Sequence, residues 1–165
     1  MSQLILVNEK DEAIGECEKI EIHKKGLLHR AFSIFIFNSN GKMLLQKRAK
    51  EKYHSGGLWT NACCGHPINE NLLDCAKKRL KEELGFDCEL KEIFNFHYMI
   101  KFENGLIENE IDHVLVGFFD GKLILNKLEA EDYKWITLKE LSKDVSKFPE
   151  KYSHWFKLIL EKLNF

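Results

Sequence analysis

Several things are scarce in this chain of 165 residues, and each absence excludes a class of protein. Only two prolines occur, with no Pro-, Gly- or Ser-rich stretch, so no linker and no domain boundary is expected. No apolar run approaches the ~18 residues that span a bilayer. Residues 1–10 lack the basic region and long apolar core of a signal peptide. The five cysteines, Cys17, Cys63, Cys64, Cys75 and Cys88, are odd in number and show no CxxC spacing. Without an export signal they read as reduced thiols, so the expected compartment is the cytoplasm. Net charge of either sign is also missing. At −1 the chain has no general affinity for nucleic acid or an anionic membrane, although Lys47, Arg48, Lys50 and Lys52 form one local basic patch.

Hydrophobic residues make up 44% and charged residues 31%, enough for a globular domain with a real core. Leu4–Val7 and Ala13–Cys17 flank a polar turn and predict a hairpin, followed by a third extended piece at Lys19–His23. Ala31–Phe37 is apolar at nearly every position, as in a strand covered on both faces. The turn Asn38–Gly41 leads into Lys42–Lys47, read as the second strand of the same hairpin. Residues 49–57 read as a loop and Leu58–His66 as an extended segment ended by Pro67. Leu72, Leu73, Ala76, Leu80 and Leu84 recur at helical spacing after an N-cap at Asn69 or Asn71, and Gly85 stops that helix. Strands are expected at Leu90–Ile100, Leu106–Phe119 and Tyr133–Thr137, and a last helix near Pro149–Leu163. The whole reads as α+β: a mixed, largely antiparallel sheet flanked by helices.

Four groups of residues carry chemical potential. Glu108 and Glu110 alternate on one face of a strand, and two carboxylates side by side call for a cation or a proton between them. With His23, His29 and His66 they make a set that suits Mn²⁺, Mg²⁺ or Zn²⁺; the alternative is five scattered residues. Cys64 lies two residues before His66 in an extended segment, so it shares that face and its thiol can move a proton; otherwise it is a small buried hydrophobe. Glu70, Glu82 and Glu83, next to the basic pair Lys78-Arg79, suit either a Mg²⁺-bound diphosphate or a salt-bridged outer helix face. Tyr98 and Trp155 offer rings that can face a cation, or fill a core.

The run Glu70-x7-Lys78-Arg79-Leu80-x-Glu82-Glu83-x-Gly85 resembles a Nudix box in which the usual Arg-Glu pair is replaced by Lys78-Arg79. That departure weighs against hydrolysis. Together with Leu28-His29-x-Ala31-Phe32-Ser33, Trp59-Thr60-Asn61-x-x-Cys64-Gly65-His66-Pro67 and Glu108-Asn109-Glu110, it resembles the type 1 isopentenyl diphosphate isomerases over roughly residues 4–160. The resemblance implies a Nudix-like fold and interconversion of isopentenyl and dimethylallyl diphosphate, acting on a small molecule as a monomer or weak dimer. It implies a tight divalent metal on His23, His29, His66, Glu108 and Glu110, and a Mg²⁺ arriving with the substrate on Glu83. Lys19, Arg48, Lys52 and Arg79 are implied to hold the diphosphate, and Cys64, Glu110, Tyr98 and Trp155 to carry the chemistry. The rival is a Nudix-type hydrolase of nucleotide diphosphates.

Overall fold

A computed structural model describes residues 2–68 and 71–164; Asn69 and Glu70, one of the two expected N-caps and the first residue of the box-like run, lie outside them. The chain opens with the expected antiparallel hairpin, β1 (Gln3–Val7) and β2 (Ala13–Glu18). Its turn is built by Asn8, whose Oδ1 accepts from the backbone of Lys10 at 2.9 Å and Glu12 at 3.0 Å.

The extended piece expected at Lys19–His23 is instead a helix, α1 (Lys19–Lys25). Ile20 and Ile22 alternate as in a strand, but the end of the segment is a helix stop. His23, Lys24 and Lys25 occupy the last turn, where the macrodipole favours cations, and Glu21 pairs with Lys25 at 2.6 Å. Gly26 then takes the left-handed conformation (φ 66°) and its N–H caps the Ile22 carbonyl.

The centre of the sheet is β3 (His29–Phe37). Its near-continuous apolar sequence has the expected cause, since both faces are covered. Phe32, Ile34 and Ile36 face one core with Ala76, Leu80 and Leu84; Phe35 faces the other with Trp155, Phe156 and Ile159. The first set comes from α2 (Leu72–Leu84), which starts at an Asn71 cap accepting from Leu73 N and ends at Gly85 (φ 78°). The second comes from α4 (His154–Lys162).

The hairpin expected between β3 and β4 (Met43–Arg48) closes at one rung, Phe37 with Met43. Beyond it the strands diverge, because other partners take their edges. β3 pairs antiparallel with β6 (Cys63–Gly65) and parallel with β8 (Ile107–Phe118), aligning His29 with Glu110. β4 pairs with β5 (Trp59–Thr60) and with β9 (Ala130–Ile136). The expected strand Leu58–His66 is therefore two short strands broken at Asn61-Ala62. The antiparallel pair β7 (Leu90–Lys101) and β8 falls where expected.

A further helix, α3 (Leu138–Lys147), was not anticipated, although Thr137 and Glu140 form a capping box at its start. The expected last helix is also divided. A 3₁₀ turn (Pro149–Lys151) precedes α4, because Tyr152 bridges to Trp59 and Ser153 N donates to Trp59 O at 2.9 Å. That join places Trp155 in the first turn of α4, against the short strands. The architecture is α+β, a mixed nine-stranded sheet with helices on both faces. Among the described residues no helix is long and apolar enough to cross a membrane.

Candidate active site

Three imidazoles and a carboxylate meet where α1, β3, β6 and β8 converge. His23 Nδ1 donates to Lys19 O at 2.6 Å and His29 Nδ1 to Leu27 O at 2.9 Å. Each bond commits one ring nitrogen and turns Nε2 inward, and both Nε2 atoms are buried without a hydrogen-bond partner. His66 Nε2 lies 3.1 Å and His29 Nε2 3.2 Å from Glu110 Oε1. One ligand atom from each of His23, His29, His66 and Glu110 lies within 4.8 Å of the others. Burial holds His66 down at about 3 and lowers His23, so both rest as neutral imidazoles. Burial disfavours an ionised Glu110, yet the imidazoles of His29 and His66 beside it overcome that and hold the carboxyl well below its usual range. Against the burial that lowers it, Glu110 holds the pKa of His29 up. Imidazole nitrogens and an ionised carboxylate, buried and aimed at one point, are a donor set for a divalent metal.

Glu108 does not join that group of four. Its Oε1 lies 2.8 Å from His54 Nε2 and its Oε2 accepts from Tyr98 OH at 3.0 Å. The Tyr98 hydroxyl also reaches Glu110 Oε2 at 2.7 Å, across the rung that pairs the two residues on β7 and β8. Burial, then Glu110 and Glu108, push the Tyr98 phenol well above its ordinary range, so it keeps its proton.

Cys64 enters from β6, on the other side of β3 from Glu110. Its thiol donates to Asn61 Oδ1 at 3.3 Å and lies 3.6 Å from Ser33 Oγ, which donates to Asp112 Oδ2 at 2.7 Å. Asn61 is fully buried and its orientation is fixed, because Nδ2 donates to Ile34 O at 3.0 Å and Cys63 O at 2.8 Å. The oxygen left over also accepts from Trp155 Nε1 at 3.3 Å. One amide thus holds both the thiol and the indole. Burial and then Asp112 push the Cys64 thiol up to about 12. Cys63 points the opposite way, into the core under α2.

A cavity of about 290 Å³ opens onto these groups and is also lined by Lys19, Arg48, Lys52 and Arg79; Arg48 lies over the Trp155 ring, 5.2 Å from its centroid. Burial lowers Lys19, as do Lys52, Arg79 and Arg48 crowding round it. Glu83 pairs with Arg79 and accepts from Gln46 Nε2 at 2.9 Å; Glu129 pairs with Lys52 and lies 3.6 Å from Arg79. Four cations around two carboxylates leave a surplus of positive charge, which suits a small polyanion.

Residues 27–156 match the NUDIX domain model. The chain is 52% identical over 162 residues to isopentenyl-diphosphate Delta-isomerase 2 of Aromatoleum aromaticum, covering 98% of this chain and 86% of that one. It is 51% identical over 163 residues to the protein of the same name from Photorhabdus laumondii, covering 98% and 92%. The chain is a Nudix-domain member of the isopentenyl-diphosphate Delta-isomerase family. Among solved structures, a Deinococcus radiodurans protein matches with a TM-score of 0.71 at 17% identity, covering 88% of this chain and 90% of that one. A MutT protein from Methanosarcina mazei gives a TM-score of 0.69 at 18% identity, covering 83% and 93%. Both share the fold.

Within this isomerase-family site, sequence reasoning missed His54, Gln46, Ser33, Asp112 and Glu129, and assigned Asn61 no role. Asn61 sits inside the Trp59–Pro67 motif and Ser33 inside the Leu28–Ser33 motif, so their places there were a signal. For the others the partners come from distant segments, and spacing gave none. The four-ligand cluster makes one expectation direct: His66→Ala should lower tightly bound metal, as counted by elemental analysis after dialysis against a chelator. Metal content equal to that of the parent would show that these side chains do not form one site.

Proposed function

We propose that the protein interconverts isopentenyl and dimethylallyl diphosphate by moving one proton in and another out. The observation that carries this is a single cavity lined together by a protonated thiol, a phenol–carboxylate pair, an indole and four cations. In this reading Lys19, Arg48, Lys52 and Arg79 take the phosphate oxygens of the substrate. Glu83 takes the Mg²⁺ that arrives with it, leaving Arg79 free to turn to the diphosphate.

The hydrocarbon then lies between Cys64 and the Tyr98–Glu110 pair. A proton added at C4 of isopentenyl diphosphate leaves a tertiary cation at C3, and loss of a proton from C2 gives the isomer. Two groups on different sides of the substrate are needed, one to supply and one to remove. That Cys64 reaches in from β6 and Glu110 from β8, the two strands flanking β3, supports this pairing. Tyr98 exchanges a proton with Glu110 through their hydrogen bond of 2.7 Å. Trp155 offers its ring to the cation, an interaction of about 0.5–2 kcal/mol, and shields it from water. His23, His29, His66 and Glu110, with Glu108 beside them, would hold a tight divalent metal: Mn²⁺, Mg²⁺ or Zn²⁺. When bound, that metal supplies positive charge that fixes the Glu110 carboxylate and tunes its basicity.

We read the whole chain as one domain, working in the cytoplasm on a small molecule as a monomer or weak dimer, without nucleic acid or membrane. Five free cysteines and a net charge of −1 support this. The test is to incubate purified protein with isopentenyl diphosphate and Mg²⁺ and follow dimethylallyl diphosphate and released phosphate together. Isomer without phosphate is expected, because the cationic Arg79 occupies the position of a Nudix-box glutamate. Phosphate or pyrophosphate without isomer would instead make the chain a hydrolase.

A further inference from the structure

The loop over residues 49–57 carries Lys52 on one side of His54 and a tight turn on the other. Gly57 there has φ 75° and Ser55 φ 52°, both left-handed. The side chain of His54 is 6% exposed, although it belongs to a surface loop rich in charge. Its Nε2 lies 2.8 Å from Glu108 Oε1, while its Nδ1 is buried without a partner. A ring nitrogen facing a carboxylate carries the proton, so the imidazole presents an N–H to Glu108. The ring stacks on Phe102 from the end of β7, with centroids 4.7 Å apart and planes at 13°. It meets Trp155 edge to face at 5.8 Å and 88°. The backbone round it is tied as well. Arg48 Nη2 donates to His54 O at 3.3 Å, and Asn104 Nδ2 from the β7–β8 turn donates to Tyr53 O at 2.9 Å.

We propose that His54 is a positioning residue that latches the diphosphate-binding loop to the carboxylate of Glu108, so that one imidazole links that carboxylate to the cationic loop. The loop and the strand of Glu108 are different segments, and His54 reaches from one to the other: its carbonyl accepts from Arg48 Nη2 and Lys52 lies two residues before it, while its ring reaches Glu108. Glu108 stands outside the four-ligand cluster with its oxygens facing His54 and Tyr98. An imidazole N–H on one oxygen aims the carboxylate, as outer-shell partners of metal ligands do. Packing on Phe102 and Trp155 fixes the ring, and with it the loop. The proposal rests on the functional reading of Glu108 and Lys52 given above.

Two binding measurements on the purified protein separate these ideas without relying on turnover. The first is metal affinity by chelator competition; the second is affinity of the metal-loaded protein for inorganic pyrophosphate with Mg²⁺, by calorimetry. His54→Ala is expected to weaken tight metal by about 10- to 100-fold, the usual cost of losing an outer-shell partner, and to weaken pyrophosphate severalfold. His54→Gln keeps a donor but not the stacked ring, and should recover metal affinity more than pyrophosphate affinity. His54→Phe keeps the ring without the donor, and should do the reverse. A merely structural residue would give parallel losses in all three variants, tracking their melting temperatures, and that result would overturn the proposal. So would metal and pyrophosphate affinities unchanged in all three. Failure of the parent protein itself to bind either ligand would overturn the functional reading instead. If His54→Ala does not fold, the Gln and Phe variants still give the crossed pattern or deny it.

Discussion

Cys64→Ala is expected to cut isomerase turnover by several orders of magnitude, whereas Cys63→Ala should leave it within a few-fold of the parent. The two residues are adjacent on β6, and alternation across a strand sends their side chains to opposite faces. Cys64 lines the cavity with His66, while Cys63 is fully buried in the core with Ala76 and Leu80. Removing a group that transfers a proton loses its whole contribution to the barrier, and each ~1.4 kcal/mol costs tenfold in rate. Removing the Cys63 sulfur leaves a small void, costing stability of about 1 kcal/mol and little rate. The thiols should also differ from ordinary cysteine in their reactivity. Because burial and Asp112 push Cys64 up to about 12, its thiolate fraction is small at neutral pH and rises only toward that value. Alkylation by iodoacetamide, followed by mass spectrometry across pH, should therefore label Cys64 slowly in the folded protein and quickly once it is unfolded. A dead Cys63→Ala with an active Cys64→Ala would reverse the assignment of the two faces.

Glu110→Gln is the second large effect: turnover should fall by orders of magnitude and tight metal should be lost with it. Oε1 of Glu110 faces His66 and His29, and Oε2 accepts the Tyr98 hydroxyl. An amide of the same shape cannot serve both ends. If its NH₂ faces the imidazoles it presents a donor where a metal needs an acceptor; if it faces Tyr98 it opposes that hydroxyl's proton. In either orientation the negative charge that balances a cation is gone. Tyr98→Phe should be milder for the metal, since the four ligand atoms remain, and should lower turnover by removing the proton partner of Glu110. Metal content and rate measured on both variants check this. Glu110→Gln protein with full metal and full turnover would remove Glu110 from the chemistry.

Local signals explain which parts of the fold were legible in the sequence. The α2 helix was readable because its apolar spacing, its Asn71 cap and its Gly85 stop agree within one stretch of chain. β3 was readable because a strand buried on both faces cannot alternate. α1 was misread because Ile20 and Ile22 mimic a strand, and because its helical signals, the basic last turn and Gly26, come only after that alternation. The β3–β4 hairpin and the segment Leu58–His66 were misjudged for another reason: strands from distant parts of the chain compete for the edges involved. The site divides in the same way. Motif resemblance pointed to His23, His29, His66, Cys64 and Glu110; the fold gathers the three histidines with Glu110, and His66, Glu110 and Cys64 line one cavity, but no spacing rule states that Glu108 faces His54. Asn61 likewise joins its near neighbour Cys64 to Trp155, 94 residues further on.

The parallel pairing of β3 with β8 bears on when the protein can acquire metal. His29 and Glu110 face each other across that pairing, and the intervening chain must first be folded back to bring the strands side by side. Contacts between such distant segments carry a large loop-closure cost and form late in folding. A nascent chain that has not yet delivered β8 has the histidines but not the carboxylate, so it can hold metal only weakly. Metal capture would thus report the docking of β8 on β3. Once bound, an ion at a thousand times its dissociation constant favours the native state by about 4 kcal/mol. Metal supply would then govern how long the finished enzyme survives in the cell, separately from how fast it works.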